Sequence, residues 1–158
     1  MLSVPEYGWT EFNISDEKSY SLSYLTDVAL EWIQSATYGL KNLTPFAVEG
    51  FCEPGRMLCT VSYWKSYVLF EEDDNQGALL EGPIEIDMSM ADFCKELYRD
   101  INDNLEAWVA WFTNGSNETE EDMIDLDERR KKLVSALADL KEVIDAKNEK
   151  FNGKVVFF

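Results

Sequence analysis

Carboxylates are the side chains whose number and spacing could support chemistry in this sequence. Of its 158 residues, 31 are aspartate or glutamate, and none is histidine. The lack of histidine excludes Ser-His-Asp and Cys-His nucleophile pairs, histidine general bases and most zinc sites. The glycines form neither a dinucleotide-binding fingerprint nor a P-loop. Acid–base or metal chemistry would therefore have to come from the carboxylates.

Two acidic clusters are dense enough to be considered as sites. The first is "EEDD" at residues 71–74, and the second has seven acids in the eleven residues from Glu118 to Glu128. Glycosidase-type chemistry needs two carboxyl groups that converge on one cleft, and Mg²⁺ or Ca²⁺ needs several oxygens around one point. Neither cluster has the spacing of a calcium loop, so we predict no metal site, no cofactor and no catalytic residue. Solvated surface and partner contact remain as interpretations.

Ten residues are candidates for partner contact. Nine are acids of the two clusters and one is a tryptophan of the segment "EAWVAWF": Glu71, Glu72, Asp73, Asp74, Trp111, Glu118, Glu120, Glu121, Asp122 and Asp125. In that segment, Trp108 and Phe112 continue an apolar helix face and are expected in the core. Trp111 lies at the edge of this face. It is therefore either the edge of the core or a partner-facing anchor, a role in which aromatic residues are enriched.

Glutamate 53 and the cysteines are the other residues with a conceivable role. Glu53 follows an apolar run and precedes Pro54 and Gly55, so its carboxylate either is half-buried, as a general acid requires, or caps the amides of the turn. The three cysteines match no disulfide framework and no metal spacing. We predict that Cys52, Cys59 and Cys94 are buried, inert thiols.

The charge of the chain is strongly negative and unevenly distributed. The net charge is -17; residues 1–128 carry 27 acids and 6 bases, whereas residues 129–158 carry 4 acids and 8 bases. Such a field repels nucleic acid and anionic membranes and steers cationic partners inward, although it also serves solubility alone. No apolar run is long enough to span a bilayer, and no basic start precedes an apolar stretch. We expect a cytoplasmic protein with a basic protein partner, and no binding to nucleic acid or membrane.

Hydrophobic periodicity predicts the elements that must position these residues. Alternation over residues 8–14 predicts a strand, and a spacing of three to four from Ser21 to about Asn42 predicts an amphipathic helix. Four apolar runs between residues 46 and 89 predict an antiparallel meander. Its first turn is expected at Pro54–Gly55, and a tight hairpin is expected at Trp64–Lys65.

Two helices are predicted after the strands. Ser89, with Asp92 three residues later, is typical of a helix start, and the apolar face that follows continues to Phe112. A last helix extends to about Glu149, and the closing "GKVVFF" could add an edge strand. The order is β-α-β-β-β-β-α-α. We therefore predict a single α+β domain over residues 1–158, an antiparallel sheet of about five strands with three helices packed on it.

Three segments carry a resemblance to a known class of proteins. They are "FAVEGFCEPGRMLCTVSYWKSYVLFEEDD", "FCKELYRDINDNLEAWVAWF" and the acidic segment with the closing helix. Their residue pattern resembles that of small acidic bacterial immunity proteins encoded beside polymorphic or contact-dependent toxins. The resemblance implies a non-enzymatic inhibitor that occludes the active site of a cognate toxin, basic and in some systems a nuclease. A DNA-mimic anti-restriction or anti-CRISPR protein, a structural or adaptor protein and a carboxylate-based enzyme remain alternatives.

Overall fold

The structure is a computed structural model that describes residues 1–71, 79–113 and 120–151. Two antiparallel sheets and four helices occur within these ranges, a hairpin of β1 and β2 and a sheet in the order β3-β4-β5-β6. The α+β class and the antiparallel meander are thus confirmed. The elements are β1 (Trp9–Asn13), β2 (Ser19–Ser23), α1 (Val28–Asn42), β3 (Phe46–Phe51), β4 (Arg56–Val61), β5 (Ser66–Glu71), β6 (Leu79–Ile86), α2 (Met90–Asn102), α3 (Leu105–Val109) and α4 (Glu120–Phe151).

The four-stranded sheet has one face in the core and one face toward solvent. Side chains alternate along each strand, so Val48, Met57 and Val68 are buried between the sheet and the helices. The turn between β4 and β5 spans Ser62–Lys65, closed by a 3.0 Å bond from the amide of Ser62 to the carbonyl of Lys65. The predicted tight hairpin at Trp64–Lys65 is therefore confirmed.

A strand, β2, occupies the place where the sequence predicts the start of the first helix. Leu22 fits both a helical spacing and a strand alternation, and in the structure it pairs with Thr10 of β1. The helix begins later because the carboxylate of Asp27 accepts the amide of Leu30 at 3.2 Å and caps α1. The prediction of a helix from Ser21 is wrong at its start, whereas the predicted end at Asn42 is confirmed.

The helix that begins at Ser89 does not continue to Phe112. Its start is confirmed, because the hydroxyl of Ser89 accepts the amide of Asp92 at 3.1 Å. It ends at Asn102, and the amide group of Asn104 donates to the backbone carbonyl of Asp100 at 2.9 Å. Asparagine in this role competes with the helical hydrogen bonds. The short helix α3 follows. The apolar periodicity predicts one straight helix through this region, and the chain instead changes direction after α2.

Helix α1 lies in the middle of the core, between the sheet and α4. The ring of Trp32 contacts those of Phe12 and Phe93, with centroids 5.4 and 6.2 Å apart. The predicted apolar face of α4 is buried, namely Leu133, Leu137, Leu140 and Ile144. No described helix combines the length and apolarity needed to cross a bilayer. The closing "GKVVFF" lies outside the described residues.

Candidate functional site

The acidic candidates are only partly described by the structure. Glu72, Asp73, Asp74 and Glu118 lie outside the described residues, and the backbone of residues 120–122, which are Glu120, Glu121 and Asp122, forms the first turn of α4. Glu71 ends β5 and accepts a hydrogen bond from Nε of Arg56 at 2.8 Å. Asp125 is exposed on α4. The two described acids thus lie on different elements and do not form one cluster by themselves.

Trp111 is a core residue, contrary to the partner-facing hypothesis. Its side chain is 1% exposed, and its indole N–H donates to the carbonyl of Thr26 at 2.9 Å. Its ring lies 5.2 Å from that of Trp108. An anchor must be accessible to the partner, so the assignment of Trp111 to partner contact is corrected. Its neighbour Phe112, expected in the core, is instead 49% exposed, because the break before α3 turns the chain.

Arg129 fixes the region around Phe112. Its guanidinium donates from Nη2 to the Asp27 carboxylate at 2.9 Å, and from Nε to the carbonyl of Trp108 at 3.1 Å. The guanidinium carbon also lies 4.8 Å from the ring centroid of Phe112, a cation–π contact. These bonds tie the early part of α4 to the start of α1 and to the end of α3. Phe112 is therefore held in place while much of its ring faces solvent.

Five exposed large apolar side chains lie on three segments of the chain that contact one another in part. The segments are the turn before β1, the loop between β2 and α1, and the residues after α3. We name the exposed set the loop surface; it consists of Tyr7, Trp9, Tyr24, Leu25 and Phe112. A methyl group added at Gly8 would lie 2.8 Å from Cδ1 of Tyr24, so the Tyr24 ring lies against the turn. The Thr26 carbonyl then joins this loop to Trp111, the neighbour of Phe112.

Acids outnumber bases in the sequence around most of the loop surface, whereas the exposed bases Lys131 and Lys132 follow Arg130 on α4. Residues 1–31 contain six acids and one base, and Glu6 is exposed beside Tyr7. Asp125 and Glu128 are exposed within one helical turn before Arg129. The nearby arginines are engaged: Arg129 with Asp27, and Arg130 with Glu106, whose pKa is lowered by the hydrogen bonds from Arg130. Glu6, Asp125 and Glu128 are thus exposed carboxylates that can pair with cationic groups of a partner.

Two clefts are each lined by two carboxylates. In the cleft between α1 and α4 these are Asp139 and Glu142, both exposed and beside Lys41 and Lys147. The second cleft is smaller. Glu31 of α1 and Glu49 of β3 line its space of about 240 Å³. Glu31 is exposed, and the side chain of Glu49 is 44% exposed, with its carboxylate 3.7 Å from a guanidinium nitrogen of Arg56. A general acid needs a carboxyl group shielded from water, which neither cleft provides. Among the described residues, no group of three or more potential metal ligands occurs.

Glu53 is exposed, so the half-buried carboxylate considered for it is wrong. The cysteines agree better with expectation, because all three are free thiols and Cys59 and Cys94 are buried. Loss of hydration raises the pKa of Cys59 and of Cys94 to about 12. For Cys52, which is partly exposed, the same cause raises the pKa to about 11. Protonated thiols of this kind are poor nucleophiles.

No motif in the sequence marks the residues of the loop surface as a site. Two local signals point to them. Gly8, between Glu6 and Trp9, suits the second position of a two-residue turn. Asp27 is a good helix cap. If the helix begins after Asp27, Tyr24 and Leu25 precede it and cannot be buried on its apolar face.

Comparison with protein-family models, with curated proteins and with solved structures found no match for this chain. The resemblance to immunity proteins therefore stays a prediction. A fold by itself does not specify an activity, so the function depends on the chemistry of the site.

Proposed function

We propose that this protein is a non-catalytic binding protein that captures a basic protein partner on the loop surface. The observation that carries the proposal is a set of five exposed large apolar side chains on three segments, which are linked by the contact of Tyr24 with Gly8 and by the hydrogen bond from Trp111 to Thr26. Exposed carboxylates are near these residues in the sequence. Contiguous exposed apolar surface is typical of interaction sites, and tyrosine and tryptophan are enriched among the residues that dominate binding energy. A pocket with shielded catalytic groups would have favoured an enzyme instead.

Charge and apolar contact have separate parts in this mechanism. The negative field accelerates the encounter with a basic partner, an effect that salt weakens. The aromatic side chains then leave water and slow dissociation, which is where most affinity differences arise. The fixed position of Phe112 under Arg129 and of Tyr24 against Gly8 lowers the entropy lost on binding.

The partner class follows from the resemblance to immunity proteins. We propose a cognate toxin whose active site is basic, as in a nuclease that binds phosphates through lysine and arginine. An acidic surface would occupy such a site in place of nucleic acid, and the toxin would be blocked without turnover of any substrate. In this role the protein acts in stoichiometric amounts.

The test is capture of proteins from a lysate of the source cells at two salt concentrations, about 50 mM and 300 mM. We expect one stoichiometric basic protein at low salt and much less of it at high salt. A matched pair of variants locates the surface: Glu6→Gln with Asp125→Asn should weaken capture, whereas Asp139→Asn with Glu142→Gln, farther along α4, should not. Both pairs remove two acids. Recovery of many nucleic-acid-binding proteins would support a DNA mimic, and an empty capture would contradict the proposal.

A further inference from the structure

The turn that begins the loop surface has an unusual residue at its tip. Glu6 and Trp9 exchange two backbone hydrogen bonds of 2.9 Å, which closes a two-residue turn over Tyr7 and Gly8. Both residues have positive φ, 51° for Tyr7 and 79° for Gly8. This is the geometry of a type I′ turn, in which asparagine or aspartate followed by glycine is strongly preferred. Tyrosine is an unfavourable choice at the first position.

No contact of the Tyr7 side chain with the described residues offsets the strain of its backbone. Its side chain is 77% exposed, and it makes no hydrogen bond or ring contact with any described residue. The two other non-glycine residues with positive φ differ from it: Leu43 is half-buried at the end of α1, and Glu53 has a charged side chain that water solvates. Among the residues that the structure describes, Tyr7 alone combines a strained backbone with a large ring in water. Strain of this kind is typical of functional positions.

We infer that Tyr7 is the anchor of the interface, an inference that rests on the proposed function. The turn holds the ring clear of the protein surface, and the Tyr24 ring against Gly8 supports the turn from behind. Glu6, the residue before Tyr7, is also exposed. Tyr7 and Glu6 together fit a recess on a basic protein. The walls of the recess would be apolar and contact the Tyr7 ring. A lysine or arginine at its rim would pair with the Glu6 carboxylate and contact the face of the ring.

The substitution Tyr7→Asn separates binding from folding, because asparagine suits the turn better than tyrosine does. We expect the urea midpoint of unfolding to rise relative to the wild-type protein, and partner recovery to fall by about tenfold or more. Tyr38→Ala is the matched control, since Tyr38 is an exposed tyrosine on α1. The probe is the cation-exchange-retained fraction of the lysate, presented separately to the wild-type protein and to each variant at low salt.

The outcomes distinguish this inference from the proposed function. A basic protein recovered by the wild type and by Tyr38→Ala, but not by a Tyr7→Asn variant of higher stability, supports the anchor. Equal recovery by all three proteins overturns the anchor and leaves the proposed function intact. If Tyr7→Asn is no more stable than the wild type, the strain argument is overturned. If the wild type recovers no basic protein, the proposed function and the anchor both fall.

Discussion

Trp111 is held by its ring and by its indole N–H. It is buried against Trp108 and donates to the carbonyl of Thr26. We expect Trp111→Ala to lower the free energy of unfolding by about 3–5 kcal/mol, because the substitution opens a cavity and leaves a buried carbonyl unpaired. Urea unfolding followed by circular dichroism measures the loss.

Phe112→Ala is the control for this prediction, because Phe112 is the adjacent aromatic residue and is half-exposed. Its removal ends the contact with Arg129 but opens no buried cavity, so the loss should be about 1 kcal/mol. Similar losses for the two variants would contradict the placement of Trp111 in the core and of Phe112 on the surface.

The buried thiols predict a loss of stability in alkaline solution. In the folded protein, the pKa of Cys59 and of Cys94 is about 12, above the usual value of 9.0. Between these values the unfolded chain releases protons that the folded protein retains. The free energy of unfolding should therefore fall as pH rises above about 9, by up to about 1.4 kcal/mol per pH unit for each thiol.

Unfolding in urea at several pH values between 8 and about 10.5 would measure this slope. Cys94→Ala removes one titrating group, so its slope should be shallower although the variant is less stable at every pH. A slope unchanged by Cys94→Ala would show that other groups cause the alkaline loss. In the native protein, Cys52 should react with a thiol reagent before Cys59 and Cys94, because it is the partly exposed thiol.

At the scale of elements, the pair of Asp27 and Arg129 joins α1 to α4. Asp27 has two functions, since it also caps α1. Asp27→Ser keeps a good cap but removes the ion pair, and leaves the mostly buried guanidinium without its carboxylate. We expect a loss of about 2 kcal/mol in the free energy of unfolding.

Arg130 provides the comparison, because it pairs with Glu106 and Asp127 at the surface. Arg130→Ala should change stability little, since exposed pairs contribute weakly. If Asp27→Ser were equally neutral, the pair of Asp27 and Arg129 would not be what holds α4 against α1, and the cap alone would explain Asp27.

Gly39 allows α1 and β3 to approach closely. A methyl group added there would lie 2.1 Å from Cδ1 of Phe46. Replacing a helical glycine by alanine usually stabilises a helix by about 1 kcal/mol. Here we expect the opposite sign, a loss of about 1–3 kcal/mol from overpacking. In a Phe46→Leu background the same substitution should cost less, which a double-mutant cycle by urea unfolding can measure; equal costs in both backgrounds would contradict the contact.

At the scale of the whole molecule, the net charge of -17 opposes the compact state. Raising the salt concentration from 0.01 to 0.5 M shortens the screening length from about 30 Å to a few ångströms. We expect the free energy of unfolding to increase with KCl, because most of the described ion pairs are exposed and contribute little that salt could remove. A decrease with KCl would mean that the ion pairs outweigh the repulsion.

The variant with Glu6→Gln and Asp125→Asn is the control for this effect, because it lowers the repulsion without disturbing an ion pair of the described residues. Its response to KCl should be smaller than that of the wild type. The buried core is continuous from Leu2 through the sheet to Ile144 of α4. Unfolding should therefore be a single transition at every salt concentration, as expected for a single domain.

Several elements could be predicted from local patterns. The end of α1, the start of α2 at Ser89, the hairpin at Trp64–Lys65 and the buried face of α4 follow from periodicity, caps and turn residues. The candidate site could not be predicted in the same way. Trp111 and Phe112 are adjacent aromatic residues. Which of the two is buried depends on the break in the helix at Asn104.

The sequence by itself determined the α+β class, the antiparallel meander, the acidic character and the lack of histidine chemistry. Each depends on composition or on patterns within a few residues. Only the tertiary structure decided that Leu22 lies in a strand, that Trp111 is buried and that Tyr24 packs against the turn of Tyr7 and Gly8. Those outcomes depend on contacts between distant residues: Trp111 and Thr26 are 85 positions apart, and Arg129 and Asp27 are 102 apart. Such contacts form only when the whole core assembles.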